Sequence, residues 1–442
     1  MPREGKLTLT KTASPPAELP IYQRADPENV SFFGRTNFEA ALQEMKFIFG
    51  IKRSDRTRHI AVIGKGATGK SQLLEMLARQ DIAYGKGFCF LDPSGETISS
   101  LLDWIPEDRI RDVLYIDPLD RDFTLLFNPF ASVTPDLRYQ VAEGFTHVIH
   151  QQFGDHWTAE LDHLTRMAML AILDYPRAAL QGVFLLLTDK RTRGDVVVHI
   201  KDPVIKRFWE HEFTSWDASR VMPLANKLTQ FLANPFLKHL VNERQNALDM
   251  RDILQGKKIL LINLARVTLG DEGSAFLGGL FIIKLREAML ARNAEEDPFY
   301  VYIDEFDALV TPMFEQFFLA ARKHSIALTI THQYIDQLPA RVWSATLGNA
   351  GTLAVFRVGG EDAERLEKEF APTFEARDMM SLGIREFYIK MSIDGETNDP
   401  FSAETLELHA PNVPSLRDDI LRFVRRTYAA PKIKSDFADK EG

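Results

Sequence analysis

Short apolar runs separated by amphipathic stretches dominate the first third of this 442-residue chain. The run at 59–63 is bounded by glycine, which predicts a buried β-strand, and a helical pattern follows over 70–79. Strands that alternate with helices are typical of a parallel α/β sheet covered on both faces. The same type of apolar run predicts further strands at 87–91, 113–116, 258–263, 299–303, 326–331, 352–357 and 386–391.

The pattern changes between residues 135 and 243, where strand signals are few. Leu161, Leu164, Ala168 and Ile172 recur at helical spacing, which predicts an all-α insert over 135–243. The insert divides one α/β domain into two parts, 31–134 and 244–430. Residues 1–30 are rich in Pro, Ser, Thr and charge and predict an extended N-terminal arm, and 431–442 predict a flexible tail.

Composition and charge narrow the class of protein. Hydrophobic residues make up 45% and charged residues 26%, which excludes a disordered chain, a collagen-like chain and a coiled coil. The net charge of −9 argues against a general nucleic-acid coat, but it is compatible with basic groups confined to a channel. The single cysteine, Cys89, excludes an intramolecular disulfide and a cysteine-rich zinc site.

We expect a cytoplasmic protein without a membrane span. The longest apolar run, 275–283, is much shorter than the roughly 20 residues that a spanning helix needs. The first residues lack the apolar segment of a signal peptide.

The loop after the first predicted strand carries the most specific motif. It matches G-x-x-x-x-G-K-[ST], in which small residues let backbone N–H groups surround phosphate oxygens. Lys70 would reach the β- and γ-phosphates of ATP, and the Ser71 hydroxyl would bind Mg²⁺. A chance match in a turn is the alternative, and the position between a strand and a helix argues against it. The expected nucleotide-binding residues are Gly64, Lys65, Gly66, Ala67, Thr68, Gly69, Lys70 and Ser71.

Two later strands end in polar side chains that suit hydrolysis. Asp304 and Glu305 follow the strand at 299–303; Asp304 would hold the Mg²⁺ water shell, and Glu305 would act as general base. The alternative is a strand that runs into an acidic turn. Asp307 is interpreted as a helix-capping or surface acid. After the strand at 326–331, Gln333 is a candidate sensor of the γ-phosphate and the attacking water, and His332 is interpreted as a local loop partner.

Arg322 ends a helix predicted over 313–323. A cation at a helix C-terminus is stabilising in any case. The functional interpretation is an arginine finger that reaches the nucleotide of a neighbouring subunit, which would make hydrolysis depend on a ring. The long interval between Lys70 and Asp304 holds extra strands, and this arrangement is typical of motor-type NTPases rather than of kinases and GTPases.

Taken together, these motifs resemble those of the DNA-pumping ATPases of the FtsK–HerA group, and most of all the conjugative coupling proteins of type IV secretion. The resemblance covers about residues 31–404. The stretches that carry it beyond the phosphate loop are Leu91-Asp92-Pro93-Ser94-Gly95, Tyr115-Ile116-Asp117-Pro118, Phe127-Asn128-Pro129, Ile303-Asp304-Glu305-Phe306, Ala321-Arg322-Lys323-His324, Thr331-His332-Gln333-Tyr334 and Phe356-Arg357-Val358-Gly359-Gly360-Glu361-Asp362-Ala363.

The resemblance implies a RecA-like P-loop NTPase sheet with an inserted all-α domain. It also implies a hexameric ring that uses ATP and Mg²⁺ to move DNA through its channel. It assigns Lys70, Ser71, Asp304, Glu305, Arg322 and Gln333 to the catalytic set. The chain departs from the family at Ser94, where a histidine is usual, and at 156–160, where the usual arginine of the insert is missing.

Two other functions remain open. The membrane anchor of secretion coupling proteins is not seen, which motivates the first of them, and coupling proteins also recruit partners, which motivates the second. The first is a HerA-like motor that works with a nuclease in DNA processing or defence, instead of with a relaxase or a secretion channel. The second is a nucleotide-dependent recruitment module that moves no DNA. Three basic groups are weak candidates for DNA contact, since each is more typical of a solvated surface: Lys52, Arg53, Arg56 and Arg58; Lys190, Arg191 and Arg193; Arg422, Arg425 and Arg426.

Overall fold

The computed structural model describes residues 10–40, 43–44, 46–241, 246–309 and 312–432. Residues 1–9 of the predicted arm and 433–442 of the predicted tail lie outside the described residues.

The strands include every one that the apolar runs predict, with ends shifted by one or two residues. Their bounds are β1 Val30–Thr36, β2 Glu39–Ala40, β3 Gln43–Glu44, β4 Ile48–Lys52, β5 Ile60–Ile63, β6 Phe88–Asp92, β7 Val113–Ile116, β8 Phe123–Leu125, β9 Ile259–Asn263, β10 Phe299–Ile303, β11 Ile326–His332, β12 Thr352–Val355, β13 Glu386–Ile393, β14 Glu396–Thr397, β15 Phe401–Thr405 and β16 Ala429–Pro431.

The helices cover both faces of the sheet and form most of the region between β8 and β9. Their bounds are α1 Arg53–Arg56, α2 Lys70–Ala83, α3 Glu96–Leu102, α4 Arg138–Phe153, α5 Ala159–Ile172, α6 Leu180–Thr188, α7 Lys190–His199, α8 Pro203–Arg207, α9 Ala218–Ala233, α10 Lys238–Val241, α11 Met250–Gln255, α12 Arg266–Met289, α13 Pro312–Ala321, α14 Ala340–Asn349, α15 Gly360–Phe370, α16 Ala376–Met380 and α17 Arg417–Tyr428.

One mixed sheet of 12 strands organises the molecule, in the order β4-β1-β15-β13-β12-β5-β11-β10-β6-β9-β7, with β14 added to β13. The seven strands from β12 to β7 are parallel, and their residues are almost all buried because helices cover both faces. This arrangement confirms the predicted α/β fold class. The phosphate loop follows β5, and the acidic pair follows β10, so β11 separates the two motif strands.

An antiparallel extension continues the sheet beyond β12 through β13, β15, β1 and β4. The apolar runs predict only β13 of these four. The others are short and interrupted by Gly, Ser or Thr, and their partners lie far away in the chain: Gly34 of β1 faces Thr405 of β15. The local sequence of a strand does not reveal a partner that is distant in the chain, and the preference of a segment for the β conformation depends strongly on that partner.

Helices α4 to α10 occupy the region of the predicted insert, and no strand occurs between 126 and 241. Aromatic stacking joins α9 to α12, since the ring centres of Phe231 and Phe276 are 3.9 Å apart. The loop after β8 also stacks on α12, with the ring centres of Phe127 and Phe281 4.3 Å apart. The division of the chain into an α/β domain and an insert domain stays a prediction. None of the helices in the described ranges combines the length and the apolar character that a membrane crossing requires.

Candidate nucleotide-binding site

The phosphate loop connects β5 to α2, as the motif requires. The N–H groups of Gly64 and Lys65 donate to the carbonyl oxygens of His332 (3.2 Å) and Arg357 (2.9 Å) and so tie the start of the loop to the ends of β11 and β12. The Lys65 carbonyl oxygen accepts hydrogen bonds from the Thr68 hydroxyl and the Lys70 ammonium, both at 2.8 Å. The loop is therefore held in shape by its own chain, with the N-terminus of α2 directed into its centre.

Two glycines of the loop are required by its geometry. Gly69 adopts φ +116°, a left-handed conformation that side-chain-bearing residues rarely reach. A Cβ atom on Gly64 would lie 2.6 Å from the Cβ of Phe356, too close for any side chain. Ala67 also has a positive φ of 57°.

Lys70 is only 5% exposed, and its ammonium faces the acidic residues that follow β10. Burial lowers its pKa, and the nearby carboxylates of Asp304 and Glu305 oppose that shift. A buried ammonium of this kind is stabilised by an additional anion, and the phosphates of a nucleotide would supply one.

Strand order brings the acidic pair to the loop. Because β5, β11 and β10 are parallel neighbours, their carboxyl ends meet at one edge of the sheet. Asp304 is 5% exposed, and its Oδ1 accepts from the Thr331 hydroxyl (2.5 Å) and from the Glu305 N–H (3.1 Å). Thr331, the penultimate residue of β11, thus fixes the carboxylate, a role that the sequence did not suggest.

These donors fit a magnesium ion of the P-loop type. Asp304 engages the protein through Oδ1 alone, and its Oδ2 makes no hydrogen bond among the described residues. The hydroxyl of Ser71, in the first turn of α2, likewise makes no hydrogen bond to any of the described residues. One hydroxyl and one carboxylate oxygen are the usual protein ligands of Mg²⁺ bound to a nucleotide.

Glu305 lies beside the loop with both carboxylate oxygens engaged. Its Oε1 accepts from the Gln333 Nε2 at 2.9 Å, and its Oε2 accepts from the Arg266 Nη1 at 2.8 Å. Gln333 also lies close to Gly66, since a Cβ on that glycine would be 3.9 Å from the Gln333 Oε1. The structure therefore brings Glu305 and Gln333 together at the phosphate loop.

Near the acidic pair, the structure places two residues in surroundings other than those inferred from the sequence, and it adds a third residue that the sequence analysis did not identify. Asp307 was interpreted as a helix-capping or surface acid, but it is half-buried, and burial, followed by the charge of Glu305, raises its pKa. His332 was interpreted as a loop partner, but it is the last residue of β11, is fully buried against Trp343, and has a pKa lowered to about 3 by burial. Arg266 was missed, although its place just after a buried strand was a usable signal.

Arg322 lies at the opposite edge of the sheet. The helix α13 ends at Ala321, and Arg322 begins the short 3₁₀ turn that leads into β11. The seven residues of β11 separate it from Gln333 by about 20 Å. It is exposed and lines a cleft of about 280 Å³ with Arg58 and Lys390. The structure does not bring Arg322 to the phosphate loop of its own chain.

A buried ionic cluster connects the P-loop helix to the acidic strand. Asp81 of α2 is fully buried and accepts from Arg53 (2.5 Å), from both terminal nitrogens of Arg56 (2.8 and 3.0 Å) and from the Tyr302 hydroxyl (2.5 Å). The Arg56 guanidinium lies 3.7 Å from the centre of the Tyr300 ring. Burial opposes its charge, yet Asp81 and the two tyrosines hold its pKa above the ordinary value.

These pairings leave fewer basic side chains available for contact with DNA. Arg53 and Arg56 belong to the buried cluster, so the DNA interpretation is wrong for them. Arg193 donates to the carbonyl oxygens of Leu186 and Leu187, and Arg425 pairs with Asp120. The exposed members are Lys190, Arg191, Arg422 and Arg426, of which Arg422 pairs with Asp419 on its own helix.

Comparison with solved structures supports the fold. The chain is similar to the bacterial conjugative coupling protein TrwBdeltaN70 in an unbound form (TM-score 0.63, 14% identity), over 83% of this chain and 89% of that chain. It is similar to the plasmid coupling protein TrwB in complex with ADP and Mg²⁺ (TM-score 0.63, 15% identity, 91% and 98%). It is also similar to VirB4 of Thermoanaerobacter pseudethanolicus (TM-score 0.51, 14% identity, 80% and 90%).

No protein-family model and no curated protein sequence matches the chain. At 14–15% identity the structural likeness establishes the fold. It confirms that the chain has the fold of the coupling proteins which its motifs resemble.

Proposed function

We propose that this protein is an ATPase motor of the coupling-protein class that assembles as a ring, in the form of a hexamer, and moves DNA through its centre. The observation that carries the proposal is the meeting of Glu305 and Gln333 beside the phosphate loop, with Asp304 fixed by Thr331. An acid of this kind next to a sensor amide is suited to activating water, which a protein that only binds nucleotide does not need. The TrwB complex with ADP and Mg²⁺ supports nucleotide and magnesium as ligands.

In the proposed reaction the loop and Lys70 bind the phosphates, and Ser71 and Asp304 hold Mg²⁺. When bound, Mg²⁺ supplies positive charge that neutralises the phosphate oxygens. Glu305 accepts a proton from water as the water oxygen bonds to the γ-phosphorus, and the bond to the bridging oxygen breaks to release ADP and phosphate. Gln333 orients the water and registers whether the γ-phosphate is present.

The test of this function is ATP hydrolysis with and without DNA. We expect turnover to rise when double- or single-stranded DNA is added, and mass measurement with an ATP analogue and DNA to show a hexamer. Binding to DNA should weaken steeply with added salt, because phosphate contacts release counterions. Hydrolysis that ignores DNA in an assembled ring would count against translocation, and a monomer that stays inert to DNA would favour the recruitment function.

We propose that Arg322 acts on the nucleotide of a neighbouring subunit. Its exposed position at the far edge of the sheet from its own phosphate loop supports action in trans. If this is correct, Arg322→Ala and Lys70→Ala proteins should each be inactive alone, and mixing them should restore part of the ATPase rate at interfaces that join an intact finger to an intact loop. Mixtures that stay inactive at every ratio, although native mass spectrometry shows mixed rings, would contradict the assignment.

A further inference from the structure

A salt bridge restrains the residue proposed as general base. The Arg266 Nη1 contacts the Glu305 Oε2 at 2.8 Å, while the Arg266 Nε contacts the Asp271 Oδ1 at 2.6 Å. Gln333 donates to the other oxygen of Glu305, so each carboxylate oxygen already accepts one hydrogen bond from the protein, and the Arg266 contact holds the carboxylate in its present orientation. Glu305 also has a positive φ of 46°, a conformation that needs support from its surroundings. These contacts hold the Glu305 carboxylate in an orientation from which it must be released before it can act as a base.

Arg266 itself sits on a short helical turn that is set apart from the body of α12. Gly270 interrupts the helix with φ 72° and ψ 172°, and a Cβ placed on it would meet nothing within 4 Å. The adjacent Val267 is 97% exposed, so the turn has little packing on its outer side. The backbone N–H of Arg266 donates to the Pro93 carbonyl oxygen at 2.8 Å, and Leu269 is buried, so both ends of the turn are anchored while its outer side is open. The non-helical backbone at Gly270 therefore separates this turn from the rest of α12, and it is the position at which a hinge movement would occur.

Glu272, which follows Gly270 in the body of α12, is hydrogen-bonded to helix α9 of the insert. Glu272 Oε2 accepts from the Lys227 ammonium (3.2 Å) and from the Gln230 amide (2.8 Å), and both donors belong to α9. A cleft of about 290 Å³ lies alongside, lined by Gln152 at the end of α4 together with Arg266, Asp271 and Asp307. One set of polar contacts therefore joins α9 to Glu272, a second joins Asp271 and Arg266 to Glu305, and the peptide bond between Asp271 and Glu272 connects the two sets.

The salt bridge between Arg266 and Glu305 is weak enough to be broken easily. The side chains of Arg266 and Glu305 are 34% and 33% exposed, so water screens their attraction, and an exposed pair of this kind contributes little energy. A small movement of the turn is sufficient to separate them.

We propose that Arg266 is a positioning residue that restrains Glu305 until the helical insert, acting through Glu272 and the adjacent Asp271, moves Arg266 and the turn at residues 266–269 about Gly270. This inference rests on the proposed ATPase function and adds to it a route by which a ligand of the insert controls hydrolysis. Arg266 acts through Glu305, and the chemistry of proton transfer stays with Glu305.

Arg266→Gln tests the restraint directly. The variant should hydrolyse ATP without DNA at a kcat raised about two- to five-fold, the range that a screened ion pair can restrain, with KM unchanged. Arg266→Lys, which keeps the charge without the forked geometry, should fall between the wild type and Arg266→Gln. The matched control is Arg220→Gln, which removes an exposed ion pair with Glu160 elsewhere on α9 and should leave kcat unchanged.

Glu272→Ala tests the connection to the insert. It should abolish the additional rate that DNA produces, and the Arg266→Gln/Glu272→Ala double variant should behave like Arg266→Gln alone, because both changes act on one route. Effects that add independently would overturn the route.

The outcomes separate this inference from the function on which it rests. A wild-type protein that hydrolyses no ATP overturns both. An active wild type together with an Arg266→Gln kcat that is unchanged or lowered, with a wild-type melting temperature, overturns the restraint alone. If Arg266→Gln melts early, Arg266→Lys at a wild-type melting temperature decides the question, since it too should exceed the wild-type basal rate.

Discussion

Replacement of Glu305 by glutamine is expected to lower the kcat of ATP hydrolysis by about 10²- to 10⁴-fold, the usual contribution of a general base. Glutamine has the same shape, and its Oε1 can still accept from Gln333, but a neutral amide cannot take a proton from water. The phosphate loop, Lys70 and Asp304 are unchanged. The affinity for ATP should therefore be retained, and the two quantities can be measured separately by phosphate release and by binding of a fluorescent ATP analogue.

Asp307 provides the matched control for this experiment. It is a second acid near the phosphate loop, half-buried, with a pKa raised by burial, and its Oδ1 is buried with no hydrogen-bond partner among the described residues. Asp307→Asn should lower kcat by less than about ten-fold, the scale of an indirect electrostatic effect. The assignment of the base would have to move to Asp307 if Asp307→Asn were inactive and Glu305→Gln kept its rate.

The second large effect concerns stability. Asp81→Asn is expected to lower the free energy of unfolding by about 3–5 kcal/mol, because it leaves the buried guanidinium of Arg56 without its counter-charge. The cluster also sets the distance between α2 and β10, since Asp81 contacts Tyr302 on the acidic strand. The loss should appear as a lower denaturation midpoint in urea, followed by circular dichroism.

An exposed ion pair serves as the comparison for the buried one. Asp162→Asn removes a partner of Arg166 one turn away on α5, where both side chains are more than a third exposed, and should change stability by less than about 1 kcal/mol. Equal midpoints for Asp81→Asn and the wild type would show that the cluster does not stabilise the fold.

Much of the proposed site could be predicted from the sequence because its motifs lie at strand ends. In a parallel sheet, carboxyl ends meet at one edge, so the residues after β5, β10 and β11 had to converge. What could not be predicted is the side-chain pairing. Thr331 looks like an ordinary strand residue, and only the register of β10 against β11 shows that its hydroxyl reaches Asp304.

The misinterpreted residues share a different cause. Arg53 and Arg56 form a basic run in the sequence, and basic runs are usually solvated. Their burial depends on Asp81, which lies on another helix, so no local pattern distinguishes them from surface arginines. Arg266 is similar, because its importance comes from the position of Glu305 across the sheet edge.

The position of β5 has a consequence for how the chain acquires its structure during synthesis. This strand pairs with β11 on one side and β12 on the other, and both are translated more than 250 residues later. The phosphate loop therefore emerges from the ribosome long before anything can hold its strand in place. Such non-local pairing slows folding and leaves strand edges open to aggregation. We expect a nascent chain that stops before residue 326 to require chaperones, and to bind no nucleotide.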